Sequence, residues 1–340
     1  MSDPLDNCWY AVATTDAIGS GLTRVELRDR AYAIWRTPDG RITAVHDRCS
    51  HREARLSNGS VEDGCLRCPY HGWSFGDEGR CVDVPSSGPG AAVPPGAHLT
   101  ALPIDERYGL VWLCPGDPVN PVPAIGVDDD PAFTRLNTAM QTWDCAATRM
   151  IDNMLDVAHF PYTHAGTFGR EQEQEVPKFS LAQLDDTFYG YEYSVVINNE
   201  GEAKTMSGGG DDVIGLDMST GFVLPFSVRS TMSYENGIEQ VLFMTAAPMT
   251  TANGTGPPRS MFTFVLWRND DVSESGQGIV DFELEVALED QRMLESLSGE
   301  LSLGHGALVD VVSDRASVEW RRRFSALTDT GESYESAAAS

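Results

Sequence analysis

Two short stretches of this chain bring thiols and imidazoles together. In "CSH" (49–51) one residue separates Cys49 from His51, and in "CPYH" (68–71) two residues separate Cys68 from His71. Four such donors hold either a zinc ion or an iron–sulfur cluster. Zinc knuckles usually draw two cysteines from one loop and two histidines from another element. Here each loop supplies one of each. That set suits a two-iron cluster with both cysteines on one iron and both histidines on the other. Pro69 and Gly72 fit a tight loop whose backbone N–H groups face the sulfides, and the aromatic residues of "CPYHGWSF" would shield the site. Zinc, or four unrelated residues, are the other readings.

A second constellation lies in "MIDNMLDVAHFPYTH" (150–164). On a helix, Asn153, Asp156 and His159 recur every three residues and share a face. Pro161 is expected to end that helix after His159, so that His164 turns back onto the same point. Two neutral histidines and one carboxylate make a facial triad, which leaves open positions on ferrous iron. The plain alternative is a polar pair on an ordinary helix. The carboxylate is sought in "IVDFELEVALEDQRMLESLSGEL", the late helical stretch. At −4, +3, +4 and +7 from Asp290 stand Val286, Met293, Leu294 and Leu297, all apolar. At −4, +3 and +7 from Glu289 stand Glu285, Arg292 and Ser296, all polar. The period therefore predicts Glu289 in solvent and Asp290 toward the core, where a metal would offset the cost of a buried charge. A buried aspartate satisfied by hydrogen bonds is the alternative.

These residues need elements to hold them. Residues 7–115 read as short strands rich in aromatic and β-branched residues, with a turn at "PDG" (38–40). A Pro-rich stretch at 115–131 marks a boundary between domains 1–120 and 121–330. Residues 145–160 read as helix, strand-like runs return over 187–268, and 279–298 are helical by period. The tail 331–340 is small and polar, so disorder is expected there. Among the later strands, Phe222, Leu224, Phe226, Met244, Phe264 and Trp267 are pocket candidates, although the same alternation describes a plain core. Arg229 and Arg268 are candidates for binding a substrate carboxylate, against surface positions for each. Arg48, Arg52 and Arg55 crowd the first cysteine loop, to dock an acidic electron donor or to pair with Asp47 and Glu53.

The chain has 340 residues and a formal net charge of −27, which argues against nucleic acid or an anionic membrane as partner. No apolar run approaches the roughly 18 residues of a membrane span. The N-terminal stretch has no basic segment followed by an apolar one, so no signal peptide is expected. Seven cysteines without a framework pattern point to a reducing, cytoplasmic setting.

"CSH…CPYHGWSF" followed by Asn153, Asp156, His159 and His164 resembles the Rieske non-heme iron oxygenases. The likeness is to their terminal oxygenase component, in the group of vanillate and dicamba O-demethylases. Respiratory-chain Rieske proteins carry an additional cysteine in each loop; here those places hold Ala54 and Tyr70, and Trp73 stands where a hydroxyl would follow. Losing that hydroxyl hydrogen bond lowers the expected cluster potential. The resemblance implies an α+β protein: an N-terminal all-β Rieske domain, then a helix-grip catalytic domain whose curved antiparallel sheet closes on a long helix. It implies a [2Fe-2S] cluster on Cys49, His51, Cys68 and His71, and mononuclear Fe(II) on His159, His164 and Asp290. It gives Asn153 a place near that iron. It makes Asp156 the link between His159 and His71 of a neighbouring subunit in a homotrimer. Electrons would come from NAD(P)H through a separate flavin reductase or ferredoxin. The implied reaction is O2-dependent hydroxylation of a small, mostly apolar or aromatic substrate, which becomes demethylation where the carbon bears an ether oxygen or amine nitrogen. Dihydroxylation, desaturation or cyclisation by the same machinery is the alternative, and a non-catalytic electron carrier is a third reading.

Overall fold

The computed structural model describes residues 3–19, 21–251, 254, 256–303 and 308–330, so the expected disordered tail at 331–340 lies outside the described residues. The chain divides into two compact units, Met1–Val122 with Met249–Thr255, and Pro123–Pro248 with Gly256–Ser340.

The first unit is built of short strands: β1 Tyr10–Thr14, β2 Leu22–Leu27, β3 Arg30–Arg36, β4 Ile42–His46, β5 Ser60–Glu62, β6 Cys65–Arg67, β7 Ser74–Phe75, β8 Cys81–Asp83, β9 Ile104–Arg107 and β10 Leu110–Leu113. They form three antiparallel sheets, β1-β10-β9, β2-β3-β4 and β5-β6-β7-β8. Three of the hairpins turn on two residues of positive φ: Arg28 and Asp29 between β2 and β3, Asp63 and Gly64 between β5 and β6, and Tyr108 and Gly109 between β9 and β10. That pair of dihedrals matches the right-handed twist of the flanking strands. Only the second has the usual Asp-Gly sequence. The loops after β4 and after β6 carry the two Cys-His pairs. Trp35, Val45, Leu56, Leu66 and Phe75, all buried, pack with Cys49 and Cys68 into one cluster beneath them.

The second unit contains β11 Thr134–Asn137, β12 Gln141–Trp143, β13 Ala182–Gln183, β14 Tyr189–Asn198, β15 Val213–Val223, β16 Ser227–Tyr234, β17 Glu239–Thr250 and β18 Arg259–Arg268. They make one eight-stranded sheet in the order β11-β18-β17-β16-β15-β14-β13, with β12 also on β18. Its helices are α1 Ala147–Met154, α2 Phe160–Thr163, α3 Ala203–Ser207, α4 Gly276–Leu294 and α5 Arg315–Thr330. The long helix α4 buries Ile279, Phe282, Ala287 and Leu294. It meets the sheet through a 2.6 Å hydrogen bond from Gln240 on β17 to Glu283. Trp320 and Phe324 of α5 stack on one another and close over Phe226. The second unit is the expected helix-grip arrangement, and with the all-β first unit it makes the chain α+β.

The helix read over 145–160 is shorter than expected: α1 ends at Met154, and Asp156 is outside it. The Asp156 carboxylate accepts the backbone N–H groups of Ala158 (2.9 Å) and His159 (3.1 Å), which offers the chain a capped turn in place of further helix. Pro161 then sits in the first turn of α2, where its missing N–H costs nothing. The proline therefore starts a helical turn; the break comes earlier, at Asp156.

Candidate functional site

In the first unit, the cysteine loops are fixed by short backbone bonds. Cys49 N–H donates to Ala54 O (2.9 Å) and Cys68 N–H to Trp73 O (2.8 Å). Gly72, at φ +71°, gives the second loop a left-handed bend that other residues rarely adopt. Cys49 and Cys68 are almost fully buried. Burial, with the Cys68 sulfur alongside, pushes the Cys49 thiol up to about 11. A metal is what would keep such a buried thiol deprotonated. The rings of His51 and His71 lie 4.5 Å apart, centroid to centroid, and Trp73 stacks on His51 at 4.6 Å. His51 Nδ1 is buried with no hydrogen-bond partner, which in a native fold marks a missing acceptor or metal. Two buried thiols and an orphaned ring nitrogen fit the cluster. Tyr70 packs on His71 and is 64% exposed, so this end of the loop faces outward.

In the second unit, His159, His164 and Asp290 are the described residues whose donor atoms gather closely enough to hold one ion. The two Nε2 atoms are 3.2 Å apart, and Asp290 Oδ1 lies 3.5 Å from His159 Nε2 and 3.4 Å from His164 Nε2. Ligands at about 2.1 Å from one ion, at right angles or tetrahedrally disposed, stand about 3.0–3.5 Å apart. Each imidazole is held by its other nitrogen. His159 Nδ1 lies 3.0 Å from Asp156 Oδ2, and His164 Nδ1 lies 2.9 Å from Glu289 Oε2. Those carboxylates assign the proton to Nδ1 in each ring and turn both Nε2 lone pairs inward. Three acceptors facing one point repel unless a cation lies between them, so the set fits a divalent metal. Asn153 Nδ2 donates to Asp290 Oδ1 at 3.0 Å. Burial alone would raise the Asp290 carboxyl, but His164, His159 and Asn153 together hold it below the ordinary carboxylate range.

Glu289 is not in solvent. Its side chain is 13% exposed and it accepts from His164 and from Thr167 Oγ1 (2.8 Å). The helical period compared it only with neighbours on its own helix, whereas its partners come from the loop after α2, more than 120 residues earlier. Met293 and Leu297, counted as core in that comparison, are exposed. Two glycines let the loop approach. A Cβ at Gly166 would lie 2.5 Å from Glu289 Oε1, and one at Gly169 would lie 2.2 Å from Phe160 O.

A cavity opens beside the triad. Its sheet wall is made of alternating residues that face each other across neighbouring strands: Leu216 opposite Tyr234, Met218 opposite Met232, Thr220 opposite Ser230, and Ser230 opposite Leu242. Met154, Met206 and Met244 join Met218 and Met232, and Phe282, Glu283 and Val286 line the α4 side. Of the pocket candidates from the sequence only Met244 lies there. Phe222 shares the wall's strand face but lies beyond the cavity, under Arg323 of α5. Phe226 is covered by Trp320 and Phe324. Leu224, Phe264 and Trp267 are core. Periodicity identifies a face, not the point where the covering helix stands off. Arg229 pairs with Asp185 outside the cavity. Arg268 is fully buried, not on the surface, and its guanidinium is used by Asp270, Gln240 and Met206 O. Neither arginine lines the cavity. Among the loop arginines, Arg48 pairs with Glu53 at 3.4 Å, while Asp47 instead serves Ser57 and Arg24.

A cysteine-histidine pair of loops on small sheets, followed by a two-histidine, one-carboxylate site under a helix-grip sheet, defines an oxygenase architecture. The chain belongs to the Rieske oxygenases with a vanillate O-demethylase-type catalytic region. Residues 8–102 match the Rieske [2Fe-2S] domain, and residues 143–330, more than half of the chain, match the vanillate O-demethylase oxygenase C-terminal domain. The oxygenase component of dicamba O-demethylase from Stenotrophomonas maltophilia is 35% identical over 162 residues, 46% of this chain and 47% of that protein. The match to the vanillate O-demethylase oxygenase subunit of a Pseudomonas species is 34% identical and covers 53% of this chain and 50% of that protein. The chain thus spans about half the length of these curated relatives. Methylxanthine N1-demethylase from Pseudomonas putida aligns further, at 26% identity over 94% of this chain and 88% of that protein. The structure of that enzyme with caffeine superposes with a TM-score of 0.82 at 24% identity, covering 98% and 95% of the two chains. Dicamba monooxygenase bound to 3,6-dichlorosalicylic acid gives 0.78 at 21% identity, over 96% and 98%. At these identities the superpositions speak for the fold. Among the described residues no helix is long and apolar enough to cross a membrane.

Proposed function

We propose that this chain is the terminal oxygenase of a multicomponent system, with Cys49, His51, Cys68 and His71 holding the cluster of domain 1–120. In domain 121–330, His159, His164 and Asp290 hold mononuclear ferrous iron. The observation that carries the reading is the convergence of two Nε2 atoms and one carboxylate oxygen at 3.2–3.5 Å, each histidine backed by its own carboxylate. The iron, when bound, supplies the centre at which O2 is reduced and a substrate C–H bond oxidised. The protein groups hold that centre in shape. Asp156 keeps the Nδ1 proton of His159, Glu289 keeps that of His164, and Asn153 orients Asp290. The apolar cavity wall excludes water and fits a small, mostly apolar or aromatic substrate. Relatives named as O- and N-demethylases favour oxidative demethylation as the outcome.

The electrons come from NAD(P)H through a separate reductase or ferredoxin. Arg52 and Arg55, exposed and without an ion pair among the described residues, suit an acidic donor. A homotrimer is the assembly we infer. Asp156 and Asn153 line the substrate cavity and also an outer cleft with Leu297, Leu308 and Val309. Val309 is 95% exposed, with Val311 and Val312 also exposed. Such a patch rims an interface. The outward His71–Tyr70 edge of a neighbour's loop is its proposed occupant, which would bring a cluster ligand to Asp156.

The test is composition. The holoprotein is expected to carry three irons and two acid-labile sulfides per chain, with electron paramagnetic resonance separating the two centres. Stoichiometric zinc without sulfide would overturn the reading. Formaldehyde release from a methoxy substrate, with one labelled oxygen retained in hydroxylated products, distinguishes demethylation from the other oxidations.

Glu289 carries its own expectation. Glu289→Ala should weaken iron binding by about 10–100-fold, the scale for losing the carboxylate behind a ligating histidine, and leave the cluster spectrum unchanged. Iron retained against a chelator measures it; wild-type retention would make Glu289 a bystander.

A further inference from the structure

Among the described residues of the cavity wall, Glu283 is the one carboxylate that the iron site does not use. Its residue is 8% exposed, on the same stripe of α4 as Val286 and Asp290. It stands seven positions before Asp290, so the two residues share one helix face, about 10 Å apart along the axis. One oxygen is taken: Gln240 Nε2 donates to Glu283 Oε1 at 2.6 Å. Gln240 is held in turn by Arg268 Nη1, which donates to its Oε1 at 2.8 Å, and Arg268 is neutralised by Asp270 at 2.8 and 2.9 Å. The chain Asp270–Arg268–Gln240–Glu283 is therefore anchored at its far end and fixes the carboxyl group in one orientation. Glu283 Oε2 receives no hydrogen bond among the described residues, and the residue lines the cavity. The remaining polar wall groups are largely spent on each other: Thr220 and Ser230 share a bond of 3.0 Å, and Tyr193 Oη donates to Met218 Sδ at 3.3 Å. No lysine or arginine is in the described lining.

We propose that Glu283 selects the substrate by its far end, accepting a hydrogen bond from an N–H donor and excluding carboxylates. This rests on the oxygenase reading above and adds the substrate class: a molecule of one or two rings that carries an N–H group, as a neutral amide-like donor or an ammonium. The carbon to be oxidised lies at the opposite end, near Asp290. The spacing of the two ends fits such a molecule lying along α4. An aromatic acid entering with its carboxylate toward Glu283 meets a second carboxyl group, thioethers and no cation, with the Tyr234 hydroxyl as the nearby donor, so its desolvation is poorly compensated. Burial pushes the Glu283 carboxyl up to about 7, and an N–H donor on its free oxygen favours the charged, accepting form.

Calorimetric titration of the full-length holoprotein without O2 or reductant tests this, using four ring-matched probes: 4-methoxybenzamide, 4-methoxybenzylamine, 4-methoxybenzoate and anisole. The amide or the amine, whichever class the site is built for, should bind at least ~10-fold more tightly than benzoate and anisole. Glu283→Ala should reduce the preferred probe to the level of anisole. In Glu283→Gln the amide oxygen stays on Gln240 and the NH2 takes the place of the free oxygen, so the amine should lose ~10-fold and benzoate should gain. It also serves if the alanine variant does not fold. Tighter binding of benzoate by the native chain, no binding of either donor probe, or an unchanged ranking in both variants would overturn the proposal. Because no turnover is measured, this outcome is independent of whether the chain demethylates, hydroxylates or only carries electrons.

Discussion

Asp290→Ala is expected to yield a folded protein that keeps its cluster absorbance and acid-labile sulfide, retains under about a tenth of its mononuclear iron, and shows no measurable turnover. Three donors are few for a ferrous ion, and Asp290 is the only anion among them. Without it, two neutral imidazoles 3.2 Å apart remain, and Asn153 Nδ2 loses its 3.0 Å acceptor. The cluster loops belong to the other compact unit and share no residue with this site. Metal analysis and sulfide assay on the same sample, with electron paramagnetic resonance of both centres, read the separation directly. A variant that keeps three irons and turns over at the native rate would remove Asp290 from the site and with it the triad.

Asp156→Asn is the second large effect expected: activity lower by at least ~100-fold in a protein that still folds and whose cluster its donor still reduces. The side chain accepts three N–H groups, from Ala158, from the His159 backbone and from His159 Nδ1. An amide of the same shape has one acceptor oxygen and one donor nitrogen. It cannot serve all three, and it carries no charge to support the ring. The His159 ring is then free to turn, and the outer cleft loses one of its carboxylates. Mixed assemblies separate a local effect from a path between subunits. Subunits with His71→Ala, combined with subunits with Asp156→Asn, should regain part of the activity if the intact cluster of one chain serves the intact iron site of its neighbour. Mass-verified mixed trimers with no recovered activity would show that the path, if any, runs within a chain.

The cluster loops were legible because each Cys-His pair is local: one or two residues of spacing confine both donors to one turn, whatever the rest of the chain does. His159 and His164 were legible for the same reason, although the turn that joins them begins at Asp156 and not at Pro161. Asp290 was reached through helical period, but Glu289 shows why that route is fragile. A period describes the residues above and below on one helix. It carries no information about a loop such as 164–167, brought alongside because Gly166 and Gly169 leave it room. The cavity was the least legible part. Met218 and Met232 line it, and Phe222, on the same strand face, does not; the difference is where α5 covers the sheet. Arg268 reads as an ordinary strand-end cation, and only its partners Asp270 and Gln240 make its burial possible.

Five of the chain's 11 methionines, at 154, 206, 218, 232 and 244, form the lining around a centre proposed to activate O2. Thioethers adapt to differently shaped guests, since they are unbranched and polarizable. They are also the side chains that oxygen chemistry damages most readily, each sulfoxide turning a flexible apolar surface into a polar, stiffer one. On that proposal, the protein's working life follows from how tightly O2 use is coupled to a seated guest. Idle cycling should score its history on these five residues, readable as additions of about 16 mass units on their peptides, while a chain kept supplied stays unmarked.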